Sequence, residues 1–363
     1  MKILLVITKA DIGGAQSFVL SLAQGLKEKG EDVTVAFGEG EYLPSELSKL
    51  GVPYLRLKYL RRSYNPGNIF LLIKELKNIL KQNNFEVMHL NSTNTLPGVL
   101  AAKLIKKRIK TVFTVHGLSV LDKNYKTSLI IKKLFKAYFK FFLRFTSNIV
   151  FVSQYNYEAI KSEGIIKQGE VIYNGLNLHS FHFLERKEAR EKLEKLTGVS
   201  LQDSFVIGSI GRLAYQKNYS YILNNWQKIK QIKENAKLII IGEGEKRKEY
   251  EKIIQDNNLE KDVFLPGESK DASKLLKGLD LFILPSIYEG LSISLIETQF
   301  AGIPALASDV GGNSEVVGSD NCFTLENIDG LLEKVRSGVN FKDKKEMFYL
   351  DKMVSGYIKI YEV

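Results

Sequence analysis

Apolar residues run along this chain in short, mostly unbroken blocks, and between the blocks they recur at helical spacing. Ile3–Ile7, Val33–Phe37, Tyr54–Leu57, Val87–Leu90, Val112–Val115 and Ile149–Val152 are such blocks. Their length and their β-branched content predict strands, most of them buried on both faces. Helical periodicity over Ala15–Lys29, Asn68–Gln82 and Leu96–Leu104 fills the gaps, and Glu170–Tyr173 reads as one more strand. Alternation of this kind predicts a doubly wound parallel sheet.

The same alternation restarts in the second half. Strands are expected at Phe205–Ile210, Lys237–Ile241, Val263–Leu265, Leu281–Leu284 and Pro304–Ala307. Helices are expected at Tyr219–Lys233, Lys246–Asn257, Ala272–Lys277, Leu291–Phe300 and Leu325–Arg336. Between the halves lie a turn cluster, Asn174-Gly175-Leu176-Asn177, and a charged stretch from Glu185 to Lys195, read together as the interdomain connection. The expected division is residues 1–173 and 174–345, with an amphipathic terminal segment at 346–363.

A chain of 363 residues exceeds one ordinary core, which agrees with two domains. The single cysteine, Cys322, excludes a disulfide framework and a cysteine-based metal cluster, and fits a packed residue in a reducing compartment. Met1-Lys2 leads straight into a strand-like block too short for a signal-peptide core, so a cytoplasmic location is expected. No apolar run reaches transmembrane length.

Net charge is +11, and the excess is confined to the first half. Residues 1–173 hold 26 Lys and Arg against 13 Asp and Glu, whereas residues 174–363 hold 26 against 28. Lys132, Lys136, Lys140 and Arg144 recur every four residues among aromatic neighbours, with no acid from Tyr125 to Phe145. Lys103, Lys106, Lys107, Arg108 and Lys110 form a second cluster, and Lys58, Arg61 and Arg62 a third. Two readings stand for the basic helix: a core helix with a solvated basic face, or a helix lying on an anionic membrane. No nucleic-acid motif is visible.

Ser286-Ile287-Tyr288-Glu289-Gly290-Leu291-Ser292-Ile293-Ser294-Leu295-Ile296-Glu297 follows an apolar strand and opens a predicted helix. If both carboxylates belong to that helix, they lie about 80° apart around its axis and about 12 Å apart along it. That is too far for a shared proton and suits an elongated ligand held at two points. Backbone N–H groups of Gly290, Leu291 and Ser292 would offer an anion site at the helix start.

This segment, continued by Ala301-Gly302-Ile303-Pro304 and Ser308-Asp309-Val310-Gly311-Gly312, resembles glycosyltransferase family 4 and its retaining, GT-B-fold signature of two Glu in this spacing. The resemblance implies an α/β fold of two Rossmann-like doubly wound domains facing across a deep cleft. It implies an acceptor-binding first domain, a nucleotide-sugar-binding second domain and a terminal helix returning to the first. It further implies a metal-independent hexosyltransferase, without cofactor, using a donor expected to be UDP-linked. The acceptor would be a lipid-linked or cell-envelope glycan, reached from the inner face of the membrane. No Asp-x-Asp or His-x-Glu occurs anywhere in the chain, in agreement with the absence of a metal requirement.

Other motifs take their expected roles from the same resemblance. Ile12-Gly13-Gly14-Ala15 follows the first strand; Gly13 and Gly14 form either a structural turn or a close approach to the donor. His116, in Thr114-Val115-His116-Gly117 at a strand end, would hydrogen-bond a sugar hydroxyl, and His89 is a second strand-end candidate. Gly211-Arg212-Leu213 and then Lys217-Asn218 match the family's spacing, with Arg212 and Lys217 on the diphosphate. Gly242 and Gly244, in Ile241-Gly242-Glu243-Gly244-Glu245, either border the nucleotide or form a strand-to-helix turn, and Leu265-Pro266-Gly267 would offer backbone to the base. Glu297 would accept from ribose hydroxyls, and Glu289 would face the transferring sugar. The linker Asn177 stands where many relatives have Asp, and Leu291-Ser292 where Phe-Gly is common, so the sugar is left open. A GT-B-fold UDP-sugar epimerase and a non-catalytic, membrane-binding scaffold subunit are the rival readings.

Overall fold

The structure is a computed structural model and describes residues 1–62, 64–105, 107–177 and 182–362. Lys106, in the second basic cluster, lies outside the described residues. The chain divides into two compact units, Met1–Asn177 with Met347–Val363, and Leu178–Glu346.

The first unit runs β1 (Lys2–Lys9), α1 (Gly14–Glu28), β2 (Asp32–Glu39), α2 (Tyr42–Leu50), β3 (Tyr54–Arg56), α3 (Pro66–Asn83) and β4 (Val87–Leu90). It continues α4 (Gly98–Lys103), β5 (Lys110–Val115), α5 (Leu129–Leu143), β6 (Asn148–Phe151), α6 (Gln154–Ser162) and β7 (Glu170–Val171). The strands form one parallel sheet in the order β3-β2-β1-β4-β5-β6-β7, so the topology reverses between β1 and β4. Ile3 to Val6 are wholly buried because helices cover both faces of the sheet. One face packs Leu72, Leu76, Phe135 and Phe139; the other packs Phe18, Leu22, Met353 and Tyr357.

The second unit runs α7 (Arg186–Thr197), β8 (Phe205–Ile210), α8 (Ser220–Leu223), α9 (Trp226–Lys230), β9 (Ala236–Ile241), α10 (Arg247–Asp256) and β10 (Val263–Gly267). It continues β11 (Leu281–Leu284), α11 (Ile293–Ala301), β12 (Ala305–Ser308), α12 (Asn313–Val317), β13 (Cys322–Phe323) and α13 (Asp329–Ser337). Its six parallel strands are ordered β10-β9-β8-β11-β12-β13, with the reversal between β8 and β11. Loops at the carboxyl ends of such a strand pair are the favoured ligand position in open α/β sheets. The last helix, α14 (Leu350–Glu362), belongs to the first unit and buries Met353, Val354, Tyr357, Ile360 and Tyr361 there.

Three sequence readings are corrected. The charged stretch from Glu185 to Lys195 is not a connection but most of α7, which buries Ala189 and Leu193. Its Arg186 and Arg190 hold Asp280 at 2.5 and 2.6 Å, so two of its charges are spent on an internal carboxylate. The turn cluster at 174–177 stays with the first unit. Leu176 exchanges backbone hydrogen bonds with Phe348 and Leu350, and a Cβ on Gly175 would lie 2.7 Å from the Leu350 Cα. The helix expected over Tyr219–Lys233 is two short ones, α8 and α9, parted at Asn224-Asn225.

Candidate active site

In the second unit, the loop after β8 delivers the cations. The Gly211 N–H donates to the Ile241 carbonyl and the Leu213 N–H to that of Glu243, which ties the loop to the end of β9. A Cβ on Gly211 would come 2.8 Å from the Tyr219 hydroxyl and 3.3 Å from Lys217 Cε, so glycine here makes room for the lysine stem. Arg212 is exposed and, among the described residues, makes no ion pair or hydrogen bond. Lys217 is 17% exposed and places Nζ 2.6 Å from Glu289 Oε1.

Glu289 arrives from the other side of the switch point, on the loop after β11. Only 7% of it is exposed. Its Oε1 also accepts from Ser286 Oγ at 2.7 Å, and its Oε2 accepts from Gln216 Nε2 at 3.3 Å. Gln216 Nε2 also donates to the Tyr288 carbonyl at 3.0 Å. Behind the loop, the Gly312 N–H donates to the Gly290 carbonyl at 2.8 Å. Gly311 takes φ +56°, and a Cβ there would stand 2.2 Å from the Glu289 carbonyl oxygen. Glu289 is thus a carboxylate with a cation and two neutral donors, braced by a backbone only glycine can supply.

Helix α11 begins later than the pattern suggests. Ser292 is its N-cap and accepts from the Leu295 N–H at 3.4 Å. The amides of Gly290, Leu291 and Ser292 therefore precede the helix. The first-turn amides belong to Ile293 and Ser294, because Ser292, a good cap, stops the helix from extending backwards. The expected 12 Å rise between the carboxylates lapses with it; only the stretch from Ile293 to Glu297, about 6 Å, is helical.

Glu297 is half-buried and, among the described residues, has no cation and no hydrogen-bond donor. Burial alone pushes its carboxyl from the ordinary 4.5 up to about 8. A carboxylate held without a partner is prepared for donors that a ligand brings.

Gly242 and Gly244 have a structural reason to be glycine. A Cβ on Gly242 would meet the Gly211 carbonyl oxygen at 2.0 Å, and one on Gly244 the Leu213 carbonyl oxygen at 2.4 Å. Both let the β9 loop cross the β8 loop. Gly267, at φ +94°, accepts from the Gly242 N–H at 2.9 Å.

In the first unit, His116 follows β5 and Asn91 follows β4. Asn91 Nδ2 donates to the His89 carbonyl at 3.1 Å, so its Oδ1 accepts from His116 Nε2–H at 3.2 Å. That leaves His116 Nδ1 as an acceptor. Burial lowers its pKa to about 3, so the imidazole is neutral. Phe18 packs edge-on against it at 4.6 Å. Gly13 caps α1 with extended backbone and Gly14 opens that helix. The second strand-end histidine, His89, is not a ligand group. It is wholly buried, and its two ring nitrogens bond Tyr361 Oη and Thr114 Oγ1, each at 2.7 Å. Its environment keeps it neutral, its pKa lowered well below the ordinary value by burial.

The sequence reading missed Gln216, Ser286 and Asn91. Gln216 stands beside Lys217, Ser286 opens the Glu289 segment and Asn91 ends a strand, but nothing in a linear pattern says which polar neighbour reaches a carboxylate or an imidazole. Among the described residues, no group of three or more His, Cys, Asp or Glu is placed to hold a metal ion.

Residues 191–349 match the family described as "Glycosyl transferases group 1", and residues 12–180 match "Glycosyltransferase Family 4". An Escherichia coli relative, UDP-Gal:alpha-D-GlcNAc-diphosphoundecaprenol alpha-1,3-galactosyltransferase, is 30% identical over 276 residues, covering 72% of this chain and 67% of the relative. A Campylobacter jejuni relative, N,N'-diacetylbacillosaminyl-diphospho-undecaprenol alpha-1,3-N-acetylgalactosaminyltransferase, is 26% identical over 345 residues, 92% of this chain and 86% of its own. An uncharacterized glycosyltransferase of Methanocaldococcus jannaschii is 29% identical over 256 residues, 69% of this chain, and the match spans 60% of that relative's length. Among solved structures, Anabaena HepE in complex with UDP-glucose superposes with a TM-score of 0.81 at 18% identity, covering 100% of this chain and 99% of its own. Sucrose-phosphate synthase of Thermosynechococcus elongatus gives 0.83 at 17%, covering 99% and 98%. At those identities the likeness shows the fold, two parallel-sheet Rossmann-like domains of the GT-B type. The chain belongs to the family 4 type of GT-B glycosyltransferases.

Proposed function

We propose that the protein moves a hexose-type sugar, with retention and without metal, from a UDP-sugar to a lipid-linked or envelope glycan at the inner face of the membrane. The observation that carries this reading is the presence, at one switch point, of a cation and a carboxyl group that are both unpartnered among the described residues. Among the described residues, Arg212 lacks a partner at the end of β8 and Glu297 lacks one on α11, with the Lys217–Glu289 ion pair on the intervening loops. An elongated ligand with an anionic group and a vicinal diol satisfies both ends. A nucleoside diphosphate has those groups: Arg212 and Lys217 take the diphosphate, and Glu297 accepts from the ribose hydroxyls. The base is read as uracil because HepE was solved with UDP and UDP-glucose, and because the E. coli relative is named for UDP-Gal.

In the reaction, the acceptor hydroxyl oxygen bonds to the anomeric carbon as the bond from that carbon to the diphosphate oxygen breaks. The acceptor proton passes to the departing phosphate oxygen, on the same face of the sugar. The leaving diphosphate gains negative charge, and Arg212 and Lys217 stabilise it. Lys217 stays next to Glu289, which holds its ammonium aimed and orients the sugar. In the first unit, His116 keeps Nδ1 as an acceptor for a sugar hydroxyl. The acceptor class follows the names of two relatives, which act on diphospho-undecaprenol-linked sugars.

The test is incubation with UDP-glucose, UDP-galactose and their N-acetylated forms, in chelator, with undecaprenyl-diphosphate-linked sugar as acceptor. Transfer of one sugar, with an α linkage by NMR, supports the reading. A changed sugar without acceptor would identify an epimerase instead, and turnover abolished by chelator and restored by metal would remove the metal-free account.

A further inference from the structure

We propose that the first two turns of α5 dock the protein on an anionic lipid bilayer, with their apolar side chains inserted and the carboxyl ends of β4 and β5 turned toward the lipid surface. Helix α5 buries Phe135, Phe139, Phe142 and Leu143 against its own sheet. Before that contact begins, four of its apolar side chains are exposed. Leu129 is 76% exposed, Ile130 71% and Leu134 67%, and Ile131 is also exposed. An apolar cluster of this kind at a helix end is unusual for a solvated surface.

Tyr138 fixes where these turns lie. Its hydroxyl donates to the Thr93 carbonyl at 3.1 Å, just past the carboxyl end of β4. Leu129 is nine residues earlier, so the helix start reaches about 13 Å beyond that level. The overhang is therefore on the side of the sheet where Asn91 and His116 stand. Tyr64, itself exposed, rests edge-on against Phe135 and Tyr138 at 6.1 and 5.5 Å and widens the patch.

Charge selects the occupant. Exposed Lys123, Lys126 and Lys133 ring the apolar turns, and no Asp or Glu occurs from residue 123 to 157. An apolar wedge ringed by cations suits anionic headgroups over acyl chains. The basic stripe expected from sequence is only partly available for this purpose. Lys132 donates to the Asp122 carbonyl at 2.9 Å, and Lys136 pairs with Glu163 at 2.7 Å. The insertion surface is instead offset toward Ile130, Lys133 and Leu134. No helix among the described residues is long and apolar enough to cross a membrane, so the contact is lateral.

The inference extends the reading of a lipid-linked acceptor, and its test is independent of it. The full chain is sedimented with vesicles of phosphatidylglycerol and phosphatidylcholine, and with phosphatidylcholine alone, at two salt concentrations. Binding is expected to need the anionic lipid and to weaken with salt. Ile130→Glu with Leu134→Glu should lower partitioning at least about tenfold at both salt concentrations, and Lys126→Glu with Lys133→Glu should lower it about thirtyfold at the lower salt and flatten the salt dependence. Calorimetric titration of both variants with UDP reports folding of the second unit and the donor reading separately, and circular dichroism melts confirm the first unit. Equal binding to both vesicle types, or anionic binding untouched by the apolar pair in a folded variant, would overturn the proposal. So would a self-association, in the absence of vesicles, that Ile130→Glu with Leu134→Glu abolishes.

Discussion

Lys217 Nζ lies 2.6 Å from Glu289 Oε1, and the two residues come from loops on opposite sides of the β8–β11 reversal. The pair joins two strand-end loops that have no covalent continuity, so it sets their spacing. Breaking it from the lysine side leaves a carboxylate with 7% exposure and only Ser286 and Gln216 as donors. Lys217→Ala should cost about 3 kcal/mol of stability, because an uncompensated buried charge costs more than the pair contributes. Lys217→Met combined with Glu289→Gln should recover much of that loss without recovering transfer. Thermal unfolding with a transfer assay on the same preparations separates the two effects.

Gly311 supports the same carboxylate from behind. Alanine there meets the Glu289 carbonyl oxygen 2.2 Å from its Cβ and must hold φ +56°. Gly311→Ala should destabilise by about 2 kcal/mol and lower kcat more than it raises KM, since it displaces Glu289 rather than the nucleotide groups. Steady-state kinetics alongside a melting curve checks this.

Glu297 gives the ligand-free protein a pH dependence. Its folded carboxyl titrates near 8 instead of 4.5, so the folded chain keeps a proton that the unfolded chain releases. That stabilising contribution is fully present below 4.5 and is lost as pH rises through 8. Melting temperature should therefore fall between pH 5 and pH 8 in a way that Glu297→Gln suppresses. Ribose hydroxyls donating to the ionised form would lower the pKa again, so UDP binding near neutral pH should release protons. Calorimetry in buffers of different ionisation enthalpy reads that release.

The parallel sheets were legible from sequence because burial on both faces leaves no alternation: Ile3–Ile7, Val87–Leu90, Phe205–Ile210 and Leu281–Leu284 fall within the observed strands or coincide with them. The two-residue strand at Cys322–Phe323 was not, since it has too few residues for a pattern. Helix α7 was hidden because only Ala189 and Leu193 of its twelve residues are buried, which leaves a polar run like that of a linker. At the candidate site, Arg212, Lys217, Glu289 and Glu297 were picked out by the resemblance of their motifs to those of the family. The cap at Ser292, the bracing role of Gly311 and the burial of His89 were not, because each depends on which chain segment lies alongside.

The terminal helix is held to the first unit through His89. Tyr361 Oη bonds His89 Nδ1 at 2.7 Å, and Tyr357 Oη bonds Thr114 Oγ1 at 2.8 Å, all among buried groups. Tyr361→Phe should cost about 1–2 kcal/mol by leaving a buried ring nitrogen without its partner. UDP affinity should be unchanged, so a lower melting point with an unaltered UDP titration is the expected pair of results.

Calorimetric titration of UDP into the wild type and Glu297→Ala, both in chelator, bears most directly on the donor site. Saturable one-site binding to the wild type, weakened about tenfold or more by the loss of the ribose-facing carboxylate, is the expected result. An absence of UDP binding to the wild type, or equal affinity in the variant, would contradict the assignment of this switch point to a uridine nucleotide.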